Sequence, residues 1–338
     1  MSDFTICQYG AADEGHHNWA NIENFNESVY FNFLDPRSKV GGILRVANRP
    51  SLGYKEFSVN IKLPGGGIAF RAGRLPTTTN SEFHAGGLTL SFNEPTRSWI
   101  LLFRGSLSLV SEPARLAHEP GRILKSSPAE DCEIELTWNA GSPMFVLNAD
   151  GSGKPTPGET SMMGTDHYEQ FGMVTGKVVL GAQSWVLSGV PSMRDHTWGP
   201  RVWGSFMGEW MCAFLPGGTG MTLYSELQST GKRVYSGAVM FGGKAHFVRA
   251  YDVYTHFDEG IDHGGRHRSV LKADGLPIIP LDGAINHFSP LVMATGEHRT
   301  RLTSMTVEFV GGFGGGAFAE FLRPLPPKPP AESAANNA

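Results

Sequence analysis

The chain has 338 residues, a formal net charge of −4 and 18% charged residues, enough length to bury one or two cores without disulfides or metals. No basic block invites nucleic acid or anchors the chain stably to an anionic membrane, and no window approaches the run of about eighteen apolar residues that a transmembrane helix needs. Glycine is the outlier, at 43 residues beside 22 prolines; with no Gly-X-Y period and a 40% hydrophobic fraction, collagen and disorder give way to many strands joined by tight turns.

The N-terminal MSDFTICQYGAADEGHHNW lacks the basic start and apolar centre of a secretory signal. Cys7, Cys132 and Cys212 are odd in number and in no metal-ligand spacing, as expected of thiols in a reducing, cytoplasmic compartment. His16 and His17 read as part of a solvated loop. Alternation is clear in YKEFSVNIKLP, where Phe57, Val59, Ile61 and Leu63 share one face and Ser58, Asn60 and Lys62 the other. GGLTLSFNEPTRSWILLFRG reads as a hairpin. CEIELTW repeats the period with Ile134, Leu136 and Trp138, and ELTWNAGSPMFVLN turns at Asn139 to Ser142.

The segment SGKPTPGETSMMG, 152–164, is the longest polar interruption and places a domain boundary near residue 175. GKVVLGAQSWVLSG turns near Gly181. EWMCAFLPGGTGMTLYSEL, YSGAVMFGGKAHFVRAYDVY and MTVEFVGGFGGGAFAEFL then carry hairpins to the C-terminus. No amphipathic helix of three turns is present. The expectation is an all-β fold of fourteen or more strands in two antiparallel domains, residues 1–175 and 176–326, followed by a disordered Pro-rich tail at 327–338. Free β edges could close within one chain or pair two copies as a homodimer.

The richest chemistry lies in MRDHTWGPRVWGS, which gathers Arg194, Asp195, His196, Trp198, Pro200, Arg201 and Trp203. A carboxylic acid in an apolar cavity is a usable general acid near neutrality, because burial disfavours its anion. Asp195 fits that role, with His196 as proton relay or base. Adjacent residues of a regular strand face opposite ways, so both line one cavity only if Gly199-Pro200 bends the run. Trp198 and Trp203 offer ring faces to a developing cation, and His167, Tyr168 and Glu169 form a second polar cluster. The competing reading is structural: Arg194, Asp195 and Arg201 in a bidentate network at the domain junction, the tryptophans in the core, and His167 to Gln170 a strand start with capped polar ends.

His263 and His267, split by Gly264-Gly265, read as an exposed loop with Asp258, Glu259 and Asp262 rather than as metal ligands. GFGGGAF, Gly312 to Phe318, lacks the Lys-Ser/Thr of a phosphate loop and reads as a turn. The absence of a Gly-x-Ser-x-Gly elbow leaves serine hydrolase chemistry unsupported. No metal and no cofactor are expected.

GMVTGKVVLGAQSWVLSGVPSMRDHTWGPRVW, with HYEQ at His167 to Gln170 and NESVYFNFLDP at Asn26 to Pro36, resembles the lipocalin-like superfamily of carotenoid 1,2-hydratases and kievitone hydratase. It is nearest to a bacterial branch of two-domain proteins in which a short strand ends in Arg-Asp-His-Ser/Thr-Trp-Gly. The resemblance implies two consecutive lipocalin-like β-barrel domains around an apolar cavity. It also implies addition or removal of water at a carbon–carbon double bond, with Asp195, His196 and Trp198 as the polar active-site groups. Outside the Asp-His-x-Trp-Gly run the chain does not match the acyclic-carotenoid enzymes, so their substrate does not carry over. The expected activity is a cofactor-independent hydratase or dehydratase, or an isomerase, on a hydrophobic isoprenoid-like or aromatic substrate. Tyr168 and Glu169 would position water, while Trp198, Trp203, Arg201 and His167 would contact the substrate. A non-catalytic carrier of a lipophilic ligand and a cavity-based cyclase are the alternatives.

Overall fold

The computed structural model describes residues 7–117, 120–146, 166–201, 207–227, 231–257, 265–295, 298–310 and 314–326. The expected break at 152–164, the tail at 327–338, Trp203 and the loop residues Asp258, Glu259, Asp262 and His263 lie outside them. Short apolar runs punctuated by glycine fold as strands, and the longest helix among the described residues is the two-turn α1 (Pro120–Ser126). None is long and apolar enough to cross a membrane.

Ten strands form the first antiparallel sheet: β1 (Phe25–Leu34), β2 (Gly41–Arg49), β3 (Tyr54–Lys62), β4 (Ile68–Pro76), β5 (Phe83–Ala85), β6 (Leu88–Glu94), β7 (Ser98–Val110), β8 (Ala129–Ala140), β9 (Asp166–Leu180) and β10 (Gln183–Pro200). Their order is β4-β3-β2-β1-β10-β9-β8-β7-β6-β5, and a short ladder from Ile68–Phe70 to Ser108–Val110 also joins β4 to β7. The second sheet takes β11 (Met207–Leu215), β12 (Thr219–Leu227), β13 (Arg233–Phe241), β14 (Lys244–Phe257), β15 (Gly265–Ala273), β16 (Ile279–Thr295), β17 (His298–Phe309) and β18 (Gly316–Leu325). It is a plain meander whose last strand pairs with its first, closing a barrel.

The expected boundary near residue 175 falls inside β9 and is corrected. The change of sheet comes between Pro200 and Met207, so the Asp-His-Thr-Trp-Gly run belongs to the first sheet, not the second. The physical reason is pairing: β10 bonds to β9 over most of its length and to β1 from Ser192 to Pro200, joining sequence-distant strands of one sheet. The Asn139 to Ser142 turn is followed not by a paired strand but by a single bridge, Phe145 to Glu169; the partner of β8 is β9.

Three apolar clusters explain the burial. Val29, Leu44, Trp99, Trp138 and their neighbours fill the first sheet, and Met211, Leu223, Met305 and Val307 fill the second. The third cluster joins the outer faces of the two, Tyr30, Ile43, Phe171 and Met193 meeting Trp210, Phe214, Phe318 and Leu322. β1 is therefore buried on both faces over nine of its ten residues, and its alternation is masked. Polar bonds pin the same junction: Lys62 Nζ donates to Ser289 Oγ at 2.8 Å, and Trp210 Nε1 donates to Glu169 Oε1 at 2.9 Å.

Gly220 marks how closely the sheets approach, since a Cβ there would stand 2.6 Å from the Phe171 ring. Gly220→Val should therefore cost about 1–3 kcal/mol, as overpacking does, read as a lower denaturation midpoint, whereas Gly15→Val, in open space at an ordinary extended φ, should lack this clash.

A candidate active site between the two sheets

A cavity of about 420 Å³ lies at the sheet junction and takes walls from both. Its first wall is built by register. Opposite one another across β9, β10, β1, β2, β3 and β4 stand Glu169, Asp195, Tyr30, Arg45, Ser58 and Ala72. All six line the cavity. The next row two residues along runs His167, Thr197, Ser28, Ala47, Glu56, Arg74 and shares the face, because strand side chains repeat with period two. The facing wall comes from Trp210, Glu320 and Ser304, which are neighbours across β11, β18 and β17.

Asp195 and Glu320 are the notable pair. They reach the cavity from different sheets, each partly exposed to it. Among the described residues neither carboxyl has a hydrogen bond or ion pair with another side chain. Burial, reinforced by the charge of Glu169, raises the Asp195 carboxyl to about 6 despite His167, Arg201 and Arg45 nearby. Burial and the Asp195 charge raise Glu320 to about 7. Glu169 is anchored through one oxygen: Oε1 accepts from Trp210 and lies 3.3 Å from His167 Nε2, while Oε2 is buried with no hydrogen-bond partner among the described residues. The other His167 nitrogen lies 2.8 Å from Thr197 Oγ1. Arg201 lines the same cavity, and burial followed by the neighbouring Arg45 charge lowers its guanidinium to about 9.

His196 is elsewhere. β10 stays extended through Pro200, so the bend needed to bring His196 beside Asp195 does not occur. Arg194, His196 and Trp198 point into the first sheet with Tyr168 and Gln170, and there they form a hydrogen-bonded knot with the N-terminal segment. Arg194 Nη2 donates to Glu14 Oε1 at 2.5 Å and Nε to Gln170 Oε1 at 3.0 Å, both partners fully buried. Its guanidinium lies 5.2–5.4 Å from the ring centres of Trp99, Trp138 and Tyr168. Tyr168 Oη sits 3.1 Å from His196 Nδ1, and His196 Nε2 is 2.9 Å from Glu27 Oε1. Trp198 stacks on the His17 ring at 4.0 Å.

The sequence-predicted site thus divides by parity: Asp195, Glu169, His167 and Arg201 reach the cavity, while His196, Tyr168 and Trp198 do not. Trp203 lies outside the described residues. The expected Arg194–Asp195–Arg201 network is also corrected, since Arg194 pairs with Glu14 on the opposite face. Two loop expectations change too. His17 is only 22% exposed and holds Glu27 at 2.6 Å through Nδ1. His267 is buried in the second sheet, 3.1 Å from Glu209 and 3.2 Å from Ser269. Glu320, Arg45 and Tyr30 escaped sequence reading; the one signal was a lone carboxylate in the apolar run GAFAEFL.

His17, Glu27 and His196 place one donor atom each within 4.8 Å of one another. Their spacing is that of hydrogen bonds, 2.6 and 2.9 Å to the same Glu27 oxygen, whereas two ligands of a tetrahedral zinc stand roughly 3.3 Å apart. The second Glu27 oxygen is held by the His17 backbone N–H and by Asn80. The three do not fit a metal without moving.

Residues 10–324 match the family described as a domain of unknown function, DUF7064. The chain belongs to this family. No curated protein matches it. Among solved structures it is similar to a Nitrosomonas europaea protein provisionally named AttH, at 11% identity and TM-score 0.58, covering 95% of this chain and 99% of that one. It is also similar to kievitone hydratase from Nectria haematococca, at 7% identity and TM-score 0.57, over 94% and 93% of the two chains. CghA crystallised with Sch210972 aligns at 11% identity and TM-score 0.51, over 91% and 94%. At these identities the likeness is one of fold.

Two tests separate the faces of β10. Arg194→Met should cost about 3–5 kcal/mol in urea unfolding, because it strands the buried Glu14 charge. Asp195→Asn should do the reverse. An acid raised in the folded state destabilises it progressively as pH climbs from the unfolded value through the folded one. The variant should therefore gain melting temperature over wild type from about pH 4 to pH 7 and hold that gain above, measured by calorimetry.

Proposed function

We propose that this protein is a cofactor-independent acid–base enzyme adding or removing water at a carbon–carbon double bond, and that its two sheets are consecutive lipocalin-like barrels with the reaction between them. The observation that carries the reading is the pair Asp195 and Glu320, two carboxyls from different sheets in one cavity, neither paired with another side chain among the described residues. Two such groups titrating near neutrality supply what hydration needs: one protonated to deliver a proton, one ionised to take a proton from water. The likeness in fold to kievitone hydratase agrees with this.

The pair replaces Asp195 with His196 as the acid–base couple. His196 and Tyr168 become supports of the N-terminal segment, and Trp198 has no place beside a developing charge. Glu169, fixed by Trp210 and His167, serves as a fixed negative neighbour that helps keep Asp195 protonated. Ile43, Phe57, Phe70 and Leu291 provide the apolar part of the wall, which suits a ring or isoprenoid-like body. Three free cysteines agree with a cytoplasmic setting.

Native mass spectrometry of protein isolated from its host, followed by extraction of what it carries, supplies a substrate for turnover. Asp195→Asn and Glu320→Gln should each lower kcat by roughly 10²–10⁴, with the wild-type rate bell-shaped in pH and centred between about 6 and 7. Full activity in either variant overturns the pair. A tightly held molecule recovered unchanged after long incubation favours the carrier.

A further inference from the structure

The acid–base reaction leaves the positive groups of the cavity wall without a role. Arg45, Arg74 and Arg201 all line it. Arg74 is answered by Glu56 at 2.8 Å. Arg45 reaches that same carboxylate through Nη1 at 3.6 Å, and its Nη2 is buried with no hydrogen-bond partner among the described residues. Arg45 also stands close enough to Arg201 for its charge to weaken the hold of Arg201 on its proton.

Two guanidiniums enclosed together repel, and a buried donor left unsatisfied costs energy of its own. The nearby acids do not resolve this. Asp195 and Glu320 make no ion pair among the described residues, and Glu169, whose Oε1 is taken by Trp210 and His167 and whose Oε2 is buried without a hydrogen-bond partner among them, makes no ion pair with Arg45. The cavity therefore offers a planar positive fork on β2 beside an apolar wall, the combination that suits an amphiphile with an anionic head.

We propose that the substrate carries a carboxylate, or an oxyanion of the same shape, held by Arg45 next to Arg201, with the reacting double bond conjugated to it and placed between Asp195 and Glu320. This rests on the acid–base reading above. The reaction is then a conjugate addition. The water oxygen bonds to the β-carbon and gives its proton to the ionised carboxylate. The π electrons move onto the carboxylate-bearing end as an enolate, which the guanidiniums stabilise. The α-carbon then takes the proton of the protonated carboxyl. One water is added, the carboxyls exchange protonation states, and no oxidant or reductant is needed; dehydration runs the same steps backwards.

The test uses a matched pair of probes, 2-naphthoate and 2-naphthylmethanol, titrated calorimetrically at pH 7 into wild type, Arg45→Met and Asp195→Asn. Wild type should bind the carboxylate at least roughly tenfold more tightly than the alcohol. Arg45→Met should remove most of that preference while retaining the alcohol, and Asp195→Asn should keep it. If Arg45→Met does not fold, Arg45→Lys, which keeps the charge but loses the fork, should show a reduced preference. Equal affinities, a preference for the alcohol, or no binding of either probe by wild type overturns the proposal. Because binding is read without turnover, a preserved preference with an active Asp195→Asn enzyme would sink the acid–base reading alone.

Discussion

The stretch of β10 from Ser192 to Gly199 is covered on both faces, and that constraint organises the molecule. A strand has two sides, and residues one apart in sequence must leave from opposite ones. On its inner side β10 carries Ser192, Arg194, His196 and Trp198 into the first sheet. On its outer side it carries Met193, Asp195 and Thr197 to the second. Because β1 and β9 both flank it in unshifted register from Ser192 to Trp198, neither side can rotate away. Arg-Asp-His-Thr-Trp is thus both a structural knot and part of a cavity wall, in alternate residues.

The inner side is held by satisfied charge. Arg194 and Glu14 are fully buried, and each has a further hydrogen bond, Arg194 donating to Gln170 and Glu14 accepting from Trp99, that offsets part of the cost of leaving water. This fastens the segment before β1 across the sheet, along with His17 on Glu27. The outer side is the contrast. Asp195 and Glu320 are brought to a common cavity without partners, a costly arrangement of a kind found where groups must change protonation state. Rigidity on one face gives the other its fixed geometry.

The sheets meet through an unusual use of strand surface. Outward residues of both sheets, Tyr30 and Ile43 on one and Trp210, Cys212, Phe214, Phe318 and Leu322 on the other, pack together, so part of the junction is a third core. Within it the polar rows around Asp195 and Glu320 interrupt the apolar packing, leaving space instead of filling it. The cavity therefore sets polar groups from both sheets beside apolar side chains such as Ile43, Phe57, Phe70 and Leu291.

The sequence by itself determined the β class, most of the hairpins and the importance of the segment around Asp195. Period-two runs such as Phe57 to Leu63 and glycines at tight turns such as Gly181 are local facts. It also carried His167, Glu169 and Arg201, which sit on the cavity face by their own parity. Only the tertiary structure decided the rest. The boundary moved from 175 to beyond Pro200 because the pairing of β10 with β1 links positions about 165 residues apart. Which face of β10 met a cavity depended on the second sheet, since both faces are buried and parity alone does not label them. Glu320 could not be chosen from its neighbours, because what makes it a site residue is Asp195, reached across the junction and far away along the chain.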